Sequence, residues 1–335
     1  MLRVPFADLQ KAIKRTLVAK GFTPMRAELC ARIFAETTRD GVYTHGLNRL
    51  PRMLQWVADG LLDIHAEPQK VSGFGAIEQW DGQVGPGPLN AHFSMQRSIE
   101  LARSHGIGLV TLRNTTHWMR GGTYGWQAAD AGLFAICFTN TMPNLPAWGT
   151  LDPILGNNPM VLAVPRPDGA NIVLDMAMSQ FSYGTMSAYA KRGDPLPYPG
   201  GFDEQGKLST NADEISRTFR TLPIGLWKGS GLAMALDFFA SMLAGGLATN
   251  EIPSDPAREV GISQFFLAID PANLGSAETM QQTADGIIAN LRDASAIDTN
   301  RPPRYPGEQT LQLREENMRL GVPVEEEVWR TLVHS

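Results

Sequence analysis

Residues 107–125 read IGLVTLRNTTHWMRGGTYG. The first seven, 107–113, have the apolar, branched composition of a buried strand. Helical spacing resumes at 123–131. The polar, glycine-rich text between them therefore sits at the carboxyl end of a strand, the edge at which open α/β sheets bind ligands. Glycine at 121 and 122 lets a backbone approach a ligand closely. A glycine-rich turn in which His117 bonds the backbone accounts for the same residues, and the stretch alone does not choose between the two.

The surrounding chain repeats the pattern. Strand-like runs occur at 73–80 (GFGAIEQW), 133–140 (LFAICFTN), 160–166 (MVLAVPR), 171–179 (NIVLDMAMS) and 263–270 (SQFFLAID). Helical runs are expected at 88–105, 123–131, 230–244 and 276–294. The mixture points to an α/β (α+β) sheet region. The amino end is helical instead. Phe6, Leu9, Ile13 and Leu17 fall on one face. Thr23-Pro24 is a helix start, a capping hydroxyl followed by proline at the first helical position. Leu29 and Ile33 share a face of that helix, and Gly41 ends it. A second helix from about Asn48 carries Leu50, Met53, Leu54 and Val57 and stops at Gly60. Helical character returns from about 308. The stretch 191–222, polar and rich in Gly and Pro, reads as a long excursion or lid.

Composition narrows the class. The 335 residues hold 29 Lys+Arg against 34 Asp+Glu, a net charge of −5, with 43% hydrophobic and 19% charged residues. That balance describes a folded chain and excludes a disordered one. An acidic surface is a poor match for nucleic acid. Two cysteines, Cys30 and Cys137, make neither a disulfide framework nor a four-ligand zinc site, and a reducing cytoplasm suits them. Charges interrupt the first twenty residues, so no signal peptide is expected. The longest uncharged run, Ala131 to Leu151, contains Pro143 and Pro146 and cannot be a spanning helix. A soluble, cytoplasmic protein without membrane or nucleic-acid partners is expected.

Familiar fingerprints are missing. Gly73-Phe-Gly75, Gly106-Ile-Gly108 and Gly229-Ser-Gly231 each lack the third glycine of GxGxxG, and no GxxxxGK[ST], HExxH or GxSxG occurs. Four segments carry chemistry instead. In Tyr43-Thr44-His45-Gly46-Leu47-Asn48-Arg49, histidine can protonate a developing alkoxide and arginine can grip a carboxylate in two-point fashion. If Asn48 caps a helix, Arg49 lies in its first turn. The second segment is that around His117. In Trp227-Lys228-Gly229-Ser230-Gly231, a lysine at a helix start suits an anion, and a plain cap at Ser230 suits the text equally. Asp175, at a strand end, can accept ribose hydroxyls or cap the following turn.

Taken together, Gly41-Val42-Tyr43, Gly75-Ala76-Ile77-Glu78-Gln79-Trp80-Asp81, His105 to Val110, His117-Trp118-Met119-Arg120-Gly121-Gly122, Tyr124 to Ala129, the Trp227 to Gly231 segment and Pro306-Gly307-Glu308 resemble the type-2 malate/L-lactate dehydrogenase family almost end to end. The resemblance implies a nicotinamide-dependent oxidoreductase without the Rossmann fingerprint. It implies a helical domain from both chain ends (1–70 with 308–335) on a central mixed-sheet domain (71–307), a homodimer, and no metal. His45 matches the family's proton donor, and Thr44, Arg49 and His117 its substrate contacts. Cofactor contacts map to Asn171, Ile172, Val173, Leu174, Asp175, Met176 and Ala177, to Trp227 and Lys228, and to Gly307, Glu308 and Gln309. A carboxylate near the ribose, Glu308 or Asp175, would repel a 2′-phosphate, so NADH is the expected cofactor, with NADPH the alternative.

The implied reaction is reduction of a 2-keto acid by NAD(P)H, with 2,3-diketo-L-gulonate foremost. A protonated His45 serves as acid and Arg49 as the carboxylate anchor. Malate, lactate, ureidoglycolate or a cyclic imino acid are the alternatives, for which His117 would be the working base. A silent binding protein on the same scaffold is the reading from another class. Two departures from the family pattern stand out: Gly156-Asn157-Asn158-Pro159 stands where Gly-Thr-Asn-Pro is commoner, which keeps a polar turn, and Glu308-Gln309 stands where similar members have His-Glu, which bears on the nucleotide preference.

Overall fold

The computed structural model describes residues 2–334. In chain order the elements are β1 (Leu2–Val4), α1 (Phe6–Ala19), α2 (Pro24–Arg39), α3 (Leu50–Ala58), β2 (Gln69–Phe74), β3 (Ile77–Asp81), α4 (Gly87–His105), β4 (Ile107–Thr116), α5 (Gly122–Asp130), β5 (Phe134–Thr139), β6 (Met160–Val164) and β7 (Ile172–Met176). There follow α6 (Tyr183–Arg192), β8 (Gly201–Phe202), β9 (Leu208–Ser209), α7 (Ala212–Thr218), α8 (Trp227–Ala244), β10 (Val260–Ile269), α9 (Ala277–Asp293), α10 (Glu308–Leu320), β11 (Val322–Val324) and α11 (Glu326–His334). The α/β reading holds.

Seven strands form one sheet in the order β2-β3-β4-β10-β5-β6-β7. Only β3 and β4 run parallel, linked through α4; the other pairs are antiparallel. Period-two alternation sorts the side chains onto two faces. Val110, Leu112, Cys137, Phe266 and Ala268 point to the face covered by α4 and α5, where Met95, Trp118, Tyr124 and Trp126 complete the core. Their neighbours Leu109, Ile136, Phe138, Phe265 and Leu267 point to the opposite face, covered by Ala233, Leu236 and Ala240 of α8.

A separate core unites the two chain ends. Leu9, Ile13 and Leu17 of α1, Ala27 to Ala35 of α2 and Met53 and Trp56 of α3 pack with Val322, Val324 and Leu332. The ends are also stitched by an antiparallel pair, Leu2 opposite Val324 and Val4 opposite Val322. This pair is not legible in the sequence, because three residues show no period. Thr23 caps α2 as expected, accepting from the Arg26 amide at 3.4 Å. Gly41 (φ 85°) follows the helix end in the left-handed region where glycine is at ease. Helix α10 bridges the two cores: Leu311 packs against the sheet core, and the Arg314 guanidinium lies 4.6 Å over the Trp126 ring.

Four expectations need correction. The run 73–80 is a hairpin, β2 and β3 turning at Gly75 (φ 57°), because a glycine inside a strand pattern marks a turn here. Asn48 does not cap a helix; it lies within a 3₁₀ turn, Leu47–Arg49, and donates to Glu325 at 2.9 Å. Ser230 is inside α8, which starts three residues earlier than expected, and its hydroxyl accepts from the Trp148 amide. The excursion begins near 183 rather than 191 and has its own small core of Met186, Leu196, Ala212 and Ile215. Among the described residues no helix is long and apolar enough to cross a membrane.

Candidate active site

One cavity of about 770 Å³ opens where the bend after α2, the carboxyl ends of β4 and β7, the excursion and the start of α10 converge. That size falls within the range of roughly 300–1,000 Å³ usual for small-molecule and cofactor sites. It gathers Thr44, His45, Arg49, His117, Val173, Leu174, Asp175, Ala177, Gly307 and Gln309 from the sequence reading. It does not gather Asn171, Ile172, Met176, Trp227, Lys228 or Glu308.

The bend that carries His45 is fixed by α2. The Thr38 hydroxyl accepts from the Leu47 amide at 2.8 Å, and a Cβ on Gly46 would collide with that threonine. His45 is thereby held against the cavity, its Nδ1 3.1 Å from the Thr44 hydroxyl. Burial, then the charges of Arg49 and Arg120, push the imidazole down to about 4. At neutral pH the resting ring is neutral, which corrects the expectation of a standing imidazolium.

His117 arrives from the end of β4. The first turn of α4 packs so tightly on this point that a Cβ on Gly87 would strike the Thr116 and His117 carbonyls. The Met119 amide donates to His117 Nδ1 at 2.9 Å, with Met119 itself at φ 68°. Nδ1 is therefore an acceptor, and the ring proton resides on Nε2. The ring bonds the backbone and also lines the cavity. The two imidazoles stack with centroids 5.7 Å apart and planes 27° apart. Burial, then Arg49 and His45, hold His117 well below the ordinary histidine range.

Arg49 has a partner that the sequence did not suggest. Glu259, buried beside the 3₁₀ turn Pro256–Arg258, places an oxygen 3.9 Å from the Arg49 guanidinium, and both line the cavity. Burial raises the Glu259 carboxyl, with Arg49 opposing. Arg49 Nε has no hydrogen-bond partner among the described residues. A guanidinium backed by one carboxylate, with a donor unused, is prepared for a second anion.

The cofactor segments divide. Val173 donates to the Pro306 carbonyl at 3.1 Å, which joins β7 to the start of α10. Gly307 must be glycine there: its φ is 94°, and a Cβ would sit 3.1 Å from Val173 N. Asp175 caps α5, accepting from the Gly122 amide at 2.8 Å. Its carboxyl is raised by burial, against Arg120 and that amide. Asn171 is fully committed, donating to Asp130 and accepting from the Arg166 amide. Glu308 turns to Arg292 at 3.0 Å. Trp227 and Lys228 lie outside the cavity at the start of α8.

In the cavity wall Arg120 donates to Asp40 at 2.8 Å, and its Nε, buried and without a hydrogen bond among the described residues, lies 4.0 Å from Asp175. The excursion closes the opposite side through Tyr183, Gly184 and Ser187. A Cβ on Gly184 would come 2.7 Å from the Thr44 hydroxyl oxygen. Gly184→Ala is thus expected to push α6 off Thr44. About 1 kcal/mol of overpacking expressed in binding raises KM roughly fivefold, which steady-state kinetics would read.

The malate/L-lactate dehydrogenase family description matches residues 4–333. The chain belongs to the malate/L-lactate dehydrogenase family. It is an oxidoreductase acting on CH–OH or keto groups. Within this family it is 42% identical, over 98% of either chain, to a 2,3-diketo-L-gulonate reductase of Citrobacter koseri and to one of Escherichia coli strain K12. Its fold superposes on the Δ1-piperideine-2-carboxylate reductase of Pseudomonas syringae with a TM-score of 0.89, at 26% identity over 100% and 99% of the two chains. Family chemistry implies a nicotinamide cofactor. The cavity's residues fit such a group: Arg49 Nε is buried with no hydrogen-bond partner among the described residues, and it and the amino end of α10 both favour anions.

Proposed function

We propose that this enzyme reduces a 2-keto acid, with 2,3-diketo-L-gulonate converted to 3-keto-L-gulonate as the leading reaction. The observation that carries the reading is the juxtaposition of His45 and His117 with Arg49 in one cavity. Arg49, braced by Glu259, takes the substrate carboxylate and so orients the adjacent carbonyl. His117 Nε2–H is a fixed donor for a substrate oxygen. When bound, the reduced nicotinamide supplies a hydride to the carbonyl carbon. His45 gives its proton to the carbonyl oxygen, so the C=O π pair ends as O–H, and solvent later restores the proton. The substrate carboxylate offsets the Arg49 charge, which removes one of the causes that keep His45 neutral. His45 is the better acid of the two: His117 has its Nδ1 engaged and is depressed by its neighbour as well.

On this reading residues 1–70 with 308–335 form one domain and 71–307 the other. NADH is the preferred cofactor on the strength of Asp175 alone, Glu308 being turned away. Location in the cytoplasm rests on two buried free thiols, Cys30 and Cys137. A homodimer rests on the outer face of α8, where Phe238 (57% exposed), Phe239 (56%) and Met242 (74%) form an apolar patch that a second copy would cover. Trp227 and Lys228 lie at the amino end of that face. The deciding experiment is steady-state reduction of 2,3-diketo-L-gulonate beside pyruvate, oxaloacetate and a cyclic imino acid, with NADH and NADPH. Highest kcat/KM for the diketo acid with NADH is expected. Preference for another acid would reject the substrate, and tighter NADPH binding by fluorescence would point to the exposed Arg304 at the cavity.

A further inference from the structure

Asn157 lines the same cavity as His45, Arg49 and His117. A chain of hydrogen bonds fixes which way its side chain faces. The Asn157 backbone N–H donates to Asn144 Oδ1 at 2.8 Å, so Asn144 must present its Nδ2 at the other end. That Nδ2 donates to Asn157 Oδ1 at 3.2 Å, and the Thr141 hydroxyl stands 3.2 Å from the same oxygen. The Tyr183 hydroxyl secures this loop by donating to the Asn144 carbonyl at 2.7 Å. Asn157 Oδ1 is therefore spoken for, while its Nδ2 bonds nothing among the described residues. Turning the amide over would set donor against donor at Asn144, so the free N–H pair stays where it is.

We propose that Asn157 Nδ2 is a specificity-determining donor for a substrate oxygen beyond the reacting carbonyl, C3 being the first position that can carry one. This rests on the keto-acid reading above and deepens it. Arg49 and the histidines account for the carboxylate and the reacting oxygen; an amide N–H pair fixed in the wall then meets the next acceptor along the chain. A 2-keto acid with a plain alkyl group there leaves that donor desolvated and unpaired, which penalises it.

The test is the ratio of kcat/KM for 2,3-diketo-L-gulonate to that for pyruvate, measured in the wild type, Asn157→Ala and Asn157→Ser. Loss of one hydrogen bond lowers the ratio about tenfold in the alanine variant, and serine recovers part of it. Alanine also strips the acceptor from Asn144 and Thr141; if it does not fold, the serine variant carries the test, with a ratio between one-tenth and one-half of the wild-type value. A ratio that moves less than twofold in the folded variants overturns the inference while leaving the keto-acid reading intact. Failure of the wild type to reduce either acid overturns that reading and this inference with it.

Discussion

His45→Ala is expected to lower turnover about 10²–10⁴-fold, the usual contribution of a positioned acid, while the protein still binds dinucleotide in a fluorescence titration. The pH profile separates this role from a structural one. Because burial, Arg49 and Arg120 hold the imidazole near 4, the protonated form disappears as pH rises above that value. At pH 7 only about one free molecule in 10³ carries the proton, as a three-unit gap requires. kcat/KM reports the free enzyme, so keto-acid reduction should fall about tenfold per unit between pH 5 and 8. Oxidation of the hydroxy acid uses the neutral ring and should stay level over that window. A reduction rate independent of pH there, or an alanine variant with undiminished turnover, would remove His45 from the chemistry.

Asp40→Ala should produce the largest loss of stability. This carboxylate, 4% exposed, accepts from Arg39 Nε at 2.9 Å, from Arg120 at 2.8 Å and from Arg314 at 3.1 and 2.9 Å. It ties the end of α2 to the loop before α5 and to α10. Burial works against its ionisation, but Arg314, Arg120 and Arg39 outweigh it and hold the carboxyl below its ordinary value. Removing one partner of a buried ion cluster costs about 3–5 kcal/mol, since the remaining charges lose their compensation. A melting temperature lower by roughly 4–7 °C follows for a chain of this size. The sign with pH is definite: a depressed carboxyl stabilises the fold above its unfolded value, and that contribution vanishes as pH falls through the folded one. The gap between wild type and variant should therefore narrow in acid. A variant that melts with the wild type would show that the arginines find other partners.

The site was partly legible in the sequence. His45, Arg49 and His117 could be singled out because imidazole and guanidinium suit proton transfer and carboxylate binding, although a loop with a capping histidine and a solvated arginine, or a ring bonded to the backbone, fitted the same text. Whether they met was not legible. Asp175 left two readings open, and the amide of Gly122, on a different element, is what the carboxylate found. Glu308 looked like a cofactor contact from its neighbours in the chain, yet its side chain turns to Arg292 on α9's last turn. Glu259 carried no signal at all, and Asn157 stood out only as a departure from the family's Gly-Thr-Asn-Pro, read as a polar turn. A single carboxylate before a strand and an asparagine in a turn are ordinary text, and their importance comes from what stands across the cavity.

What the sequence determined by itself is what short-range physics governs. Apolar alternation set the strands and the two faces of the sheet, helical spacing set the long helices, and Thr23-Pro24 and Gly41 set the limits of α2. Each of these depends on residues within a turn or two of one another. Tertiary structure alone decided that β10 inserts between β4 and β5, that the two chain ends share one core, and that Glu259 backs Arg49. Those outcomes follow from burying complementary faces of elements far apart in the chain, a matching that no local pattern encodes.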